Sequence, residues 1–148
     1  MGFKLATLVD EERLIGLMRE FYVVEHLSFD EALARSSVQR VLVESAVGVA
    51  YVLCVDEETI GYLVLTFGFS LEFGGRFGLL DELYLREQFR GRGAGRACLR
   101  FIEQVCSERG ISVLRLEVDR SNRAALGLYE SAGYRAHDRD LMTKWLDN

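Results

Sequence analysis

Six residues, Arg90-Gly91-Arg92-Gly93-Ala94-Gly95, carry the clearest chemical signal in the chain. They follow an apolar strand candidate, Leu79 to Leu85, and open an amphipathic helix candidate, Ala94 to Cys106. A helix that starts at a glycine-rich turn aims unpaired backbone N–H groups and the positive end of its dipole at whatever lies in front of it. That arrangement is a cradle for an anion, and Arg86, Arg90, Arg92, Arg96 and Arg100 crowd positive charge around it. Spacing removes two other phosphate loops. A Walker-type loop requires GxxxxGK followed by Ser or Thr, and no Lys-Ser or Lys-Thr follows these glycines. A dinucleotide fingerprint requires GxGxxG, yet after Gly91 and Gly93 the third position is Arg96.

The elements that must hold this turn can be read from periodicity. Lys4 to Thr7 suits a short first strand, and Asp10 an N-cap for a helix with Leu14, Ile15, Leu17, Met18, Phe21 and Tyr22 on its apolar face, ending near His26. Phe29 to Glu44 predicts a second helix, with Asp30 near its start. Val49 to Val55 and Thr59 to Phe69 are rich in β-branched and aromatic residues, and Asp56-Glu57-Glu58 between them suits a hairpin turn. Gly74-Gly75 marks another turn before a strand over Phe77 to Leu85, so three strands should form an antiparallel meander. In the helix after the cradle, Ala94, Ala97, Cys98, Phe101, Ile102, Val105 and Cys106 share one face. Ser112 to Val118 alternates as a strand, Ser121 or Asn122 caps a last helix that Gly133 ends, and Tyr134 to His137 and Met142 to Leu146 read as closing strands.

At 148 residues the chain fits one domain, residues 1-148, with a single core. A formal net charge of -5 without a long basic run argues against nucleic acid as the main partner. Cys54, Cys98 and Cys106 lie in apolar stretches without metal-ligand spacing, so they read as reduced core thiols and no metal site is expected. No signal-peptide pattern opens the chain and no apolar run approaches a membrane span, which predicts a cytoplasmic protein without a membrane partner.

Taken together, Arg90-x-x-Gly93-x-Gly95, the upstream Asp81-Glu82-Leu83-Tyr84-Leu85 and the downstream Asn122-x-x-Ala125-x-x-Leu128-Tyr129-Glu130-x-x-Gly133-Tyr134 resemble the GNAT superfamily of N-acetyltransferases over roughly residues 49 to 146. The resemblance implies an α/β (α+β) fold: a mixed, mainly antiparallel central sheet of about six to seven strands flanked by about four helices. It implies acetyl-CoA as co-substrate, its pyrophosphate wrapped by the backbone of Gly91 to Arg96 with Arg90, Arg92 and Arg96 adding charge. Glycine allows the close approach, and the helix start contributes about 0.3–1 kcal/mol at an exposed site.

The same resemblance lays the pantetheine arm along Leu83, Tyr84 and Leu85, where the strand splays from its neighbour. It gives Leu85 N–H the task of stabilising the tetrahedral oxyanion, worth about 2.7–4 kcal/mol per donor in other enzymes. A protonated amine has no lone pair, so a base is needed. Asp81 and Glu82 are the candidates, and simple alternation would put them on opposite faces. The family pattern favours the Asp81 position, acting through a water, with Glu82 the alternative. Tyr129 is the candidate acid for the departing thiolate, a phenol protonated at neutral pH, with an effect of about 10²–10⁴ in rate. Asn122 matches the position that hydrogen-bonds the cofactor arm, and equally suits an N-cap.

Tyr22, Glu25 and His26 fall where relatives line the acceptor pocket, and Glu20, Glu25 and Asp30 would suit a cationic amine. The expectation is direct attack by a small polyamine-like or aminoglycoside-like primary amine in a ternary complex. Acetylation of a protein N-terminus or lysine and a noncatalytic acyl-CoA sensor remain the alternatives. The resemblance also suggests a homodimer through the closing strands.

Overall fold

The computed structural model describes residues 1–147. Its elements are β1 (Gly2–Leu5), a single 3-10 turn (Leu8–Asp10), α1 (Glu11–Val24), α2 (Glu31–Val43), β2 (Gly48–Val55), β3 (Glu58–Ser70), β4 (Gly75–Leu85), a second 3-10 turn (Glu87–Phe89), α3 (Ala94–Glu108), β5 (Leu114–Leu116) and α4 (Arg123–Ser131). The sheet order is β1-β2-β3-β4-β5. All pairings are antiparallel except β4 with β5, which is parallel.

Alternation along β2 builds two cores. Ala50 and Val52 face α1 and α2, where Leu14, Ile15, Leu17 and Met18 pack with buried Tyr62 and Tyr84. Val49 on the other face joins Leu65, Val105, Cys106 and Ile111 under α3. Tyr51, also on that face, meets Phe101 edge to face at 4.8 Å, and Phe3 stacks on Phe101 at 4.0 Å. Strands buried on both faces read as near-continuous apolar runs, as β2 does. The β2–β3 hairpin turns through Asp56 and Glu57, both at positive φ, the conformation that a two-residue connection requires. Asp10 stands at the N-cap of α1 as expected, but its side chain makes no capping bond to that helix: buried at 2% exposure, its carboxylate accepts from Thr7 N–H at 3.0 Å and pairs with Lys4 and Arg13.

The chain divides into two compact units, Met1–Glu117 and a C-terminal unit from Val118 onward. In the second unit α4 starts at Asn122, whose Oδ1 accepts from Ala125 N–H at 3.1 Å. Two expectations are corrected here. Among the described residues the sheet has five strands, not six to seven, and neither Tyr134 to His137 nor Met142 to Leu146 forms a strand. The strand expected over Ser112 to Val118 shrinks to Leu114–Leu116. Strand formation depends on a partner more than on local propensity, and residues 135 to 147 are charged at intervals while leaving Leu141, Met142, Trp145 and Leu146 exposed. Among the described residues no helix is long and apolar enough to cross a membrane.

Candidate active site

A break in β4 organises the site. Leu80 pairs with Leu65 and Glu82 with Val64, so Asp81 is the extra residue of a β-bulge. Leu65 belongs to the α3 side of the sheet and Val64 to the α1–α2 side. The bulge thus turns both Asp81 and Glu82 toward α1 and α2, where they line one cavity of about 250 Å³. Simple alternation had put them on opposite faces, and the inserted residue is why it fails.

The bulge also reverses the hydrogen-bonding edge. Gly78 N–H donates toward β5, to the Val113 carbonyl at 2.9 Å, whereas Arg86 N–H donates to Ile60 on the β3 side at 2.8 Å. In an unbroken strand two residues an even number apart would face the same way. After Asp81 the N–H groups of Leu83 and Leu85 therefore point away from β3, and β5 pairs only with Gly78 to Leu80. Beyond the bulge that edge of β4 has no strand beside it among the described residues. The opposite edge is held tightly: a Cβ on Gly61 would stand 2.0 Å from the Tyr84 carbonyl oxygen, so only glycine fits there.

Glu82 is half-buried and fixed by two phenols, Tyr22 donating to Oε2 at 2.6 Å and Tyr62 to Oε1 at 2.7 Å. Burial raises its pKa, and the Asp81 charge pushes the same way, while the two phenols partly offset the rise. Burial and the adjacent carboxylate also push both phenols upward, so they stay protonated as donors. Asp81 is more exposed and has no hydrogen-bond or ion-pair partner among the described residues. Its pKa is raised by the surrounding protein and by Glu117. The rest of the cavity is largely hydrocarbon, from Leu14, Met18, Ala34, Val38, Ala50 and Val64.

The glycine turn has the form expected of it. Gly91 and Gly93 adopt φ of 74° and 78°, and Gly93 is the N-cap of α3 without any side-chain cap. The contrast with α2 and α4 is direct, because Asp30 and Asn122 cap those helices by accepting from Leu33 and Ala125 N–H. The first turn of α3 also carries no acidic residue. The backbone N–H groups of Ala94 and Gly95 thus open α3 without a capping side chain, the arrangement that suits an anion. Arg90 Nε donates to the Leu85 carbonyl at 2.7 Å, tying the turn to the open edge of β4, and its guanidinium lies over the Tyr84 ring. Arg92 is exposed beside it and Arg96 half-buried.

With this geometry in view, the sequence profile of the acetyltransferase (GNAT) family matches residues 11–134. The chain belongs to that family. A thialysine N-epsilon-acetyltransferase from Caenorhabditis elegans is 23% identical over 135 residues, covering 90% of this chain and 83% of that protein. The protein of the same name from Bos taurus is 32% identical over 74 residues, 50% of this chain and 43% of that protein, so the match spans less than half of its length. Among solved structures, an integron cassette protein from the mobile metagenome of Cole Harbour Salt Marsh superposes with a TM-score of 0.87 at 30% identity, covering 99% of this chain and 91% of that one. A predicted acetyltransferase from Clostridium acetobutylicum, solved with acetyl-CoA, superposes with a TM-score of 0.82 at 17% identity, covering 97% and 95%. These likenesses show the GNAT fold.

In this GNAT chain the structure brings Tyr22, Asp81 and Glu82 together and leaves Glu25 and His26 outside their cavity, exposed at the end of α1, with His26 at a φ of 55°. Glu20 does not line that cavity either. Arg86 grips both of its oxygens, at 3.0 and 2.8 Å, and holds its carboxyl below the usual range, which also removes Arg86 from the cradle. Asn122 uses its side-chain oxygen as the cap of α4, leaving its amide nitrogen as a donor. Tyr129 is half-buried on α4 with its ring 6.0 Å from that of Tyr134. Sequence reading missed Tyr62, which looked like one more apolar residue of a buried strand; its hydroxyl gains meaning only when the register sets it beside Glu82.

Proposed function

We propose that this protein is a cytoplasmic, acetyl-CoA-dependent N-acetyltransferase acting on a small primary amine by direct attack in a ternary complex. The observation that carries this reading is the bulge at Asp81, which puts two adjacent carboxylates into one cavity and opens the neighbouring edge of β4. The curated relatives are named for acetylating an amine nitrogen, which agrees with it.

The chain fits the co-substrate by two structural tests. The start of α3 is uncapped, glycine-led and free of acid, as a pyrophosphate requires, and β4 offers the unpaired amides of Leu83 and Leu85 to an extended amide chain. Gly91, Arg92, Gly93, Ala94, Gly95 and Arg96 would hold the phosphates, with Arg90 beside them, and Leu83, Tyr84, Leu85 and Asn122 the arm. Acetyl-CoA, when bound, supplies a thioester whose acyl carbon takes the amine's lone pair while its thiol leaves.

The protein's part is to prepare the amine and place the protons. Asp81 and Glu82 attract the ammonium, and Glu82, held still by Tyr22 and Tyr62, takes its proton. A base with a raised pKa is better matched to that task near neutrality than an ordinary carboxylate. Leu85 N–H donates to the oxygen that gains charge, and Tyr129 gives a proton to the departing sulfur. A cavity of about 250 Å³ lies just below the about 300–1,000 Å³ of drug-sized sites, which favours a small amine over a peptide. Release of free thiol from acetyl-CoA in the presence of small amines tests the reading, with Tyr129→Phe expected to lower turnover while acetyl-CoA binding persists. No thiol release with any amine would remove it.

A further inference from the structure

Arg90 heads the glycine turn, yet its side chain reaches back to the strand before it. Its Nε donates to the Leu85 carbonyl at 2.7 Å, and the centre of its guanidinium stands 5.8 Å from the centroid of the Tyr84 ring, a cation resting on an aromatic face. That ring is itself held. Tyr84 is 6% exposed, and its hydroxyl donates at 3.3 Å to Glu20, which Arg86 grips. Arg92, by contrast, is exposed and has no hydrogen-bond or ion-pair partner among the described residues. Of these two arginines, one is tied to the chain's own backbone and the other keeps its charge for whatever comes.

The tie falls at the end of the open edge of β4. The Tyr84 carbonyl lies against Gly61 on β3, and Leu85, the next residue, turns its own carbonyl the other way, where Arg90 takes it. Since β5 pairs only with Gly78 to Leu80, the stretch with neither β5 nor Arg90 beside it is Leu83 and the Leu85 N–H. We infer that Arg90 is a positioning residue: it closes the open edge of β4 at Leu85 and holds that edge at a set distance from the start of α3, through the place of its Nε and not through its charge. The inference rests on the acetyltransferase reading above and gives Arg90 a task within it. One acetyl-CoA has to meet the cradle with its phosphates and the edge with its arm, and a ligand of two linked parts gains affinity only where both sites can be engaged at once.

Two substitutions separate the atom from the charge. Glutamine carries its amide nitrogen on Cδ, where arginine carries Nε, and is neutral; lysine keeps the charge but sets its nitrogen one carbon further out, without the planar fork. Calorimetry compares acetyl-CoA with 3′-phospho-ADP, which has the same phosphates and no arm. Arg90→Lys should bind acetyl-CoA about tenfold more weakly than Arg90→Gln, while the two variants should bind 3′-phospho-ADP within about threefold of each other. Lysine holding acetyl-CoA as well as glutamine does, or better, would show that the place of the nitrogen is immaterial. A loss in Arg90→Lys that reaches both ligands alike would show a damaged turn and not a lost spacing. Either result overturns the inference and leaves the acetyltransferase reading standing. If the unaltered protein binds no acetyl-CoA, both fall.

Discussion

Under the proposed function, the chain beyond the end of β4 offers an anion its backbone, and the bulge within β4 offers a cation its side chains. In the proposed site the cradle relies on the start of α3, where Gly93 gives no side-chain cap, so its key residues are those with the least side chain. The acid pocket works through Glu82, whose position is set by Tyr22 on α1 and Tyr62 on β3, residues 60 and 20 positions away in sequence. The first kind of site is local, written in consecutive residues. The second is an outcome of packing and register.

The contrast can be broken at either end. The largest effect is expected from Glu82→Gln, which keeps shape and removes the base: kcat should fall by about 10²–10⁴-fold, with the acetyl-CoA dissociation constant unchanged by calorimetry. If the two sites shared residues, affinity for acetyl-CoA would fall as well. Gly93→Val attacks the other end. A β-branched residue at a φ of 78° is strained by about 1–2 kcal/mol, and the helix start must shift. Acetyl-CoA should bind about tenfold more weakly, while amine specificity measured at saturating acetyl-CoA should hold.

A smaller effect separates function from stability at the same residue. The pKa of Glu82 lies above its ordinary value of 4.5 in the folded protein, so the folded state binds its proton more tightly than the unfolded chain does. That preference stabilises the fold fully below pH 4.5 and is lost as pH rises through the folded value. Glu82→Gln should therefore melt higher than the unaltered protein at pH 8, with the gap shrinking toward pH 4. Thermal melts across that range check it, and a gap that grows toward low pH would contradict the assignment of cause. The smallest effect is structural. Asn122→Ala removes the cap of α4 and should cost about 1 kcal/mol, read as a fall of a few degrees in the melting temperature.

The two regions were unequally legible for the same reason that they differ. In Arg90-Gly91-Arg92-Gly93-Ala94-Gly95 the glycine turn and the helix start could be read because both are local facts, and α3 begins at Ala94 as expected. The meander and the helix–strand–helix order followed from periodicity, since β2, β3 and α3 each bury a face or two. Asp81 and Glu82 could be picked as candidates but not oriented. A bulge leaves no mark in period-2 alternation until the partner strand fixes the register. Glu20 looked available from sequence because Arg86, 66 residues later, gave no sign of closing on it. The closing strands failed for a related reason: alternating residues invite a strand, but only a paired edge makes one.

The pH dependence of kcat/KM for the small primary amine it acetylates best, measured with saturating acetyl-CoA in the unaltered protein and in Glu82→Gln, tests the central claim most directly. The account predicts an acid limb in the unaltered protein, set by a carboxyl above the usual range, that disappears in the variant together with most of the rate. A variant that keeps both the limb and the rate would show that the carboxylate held by Tyr22 and Tyr62 does not take the proton.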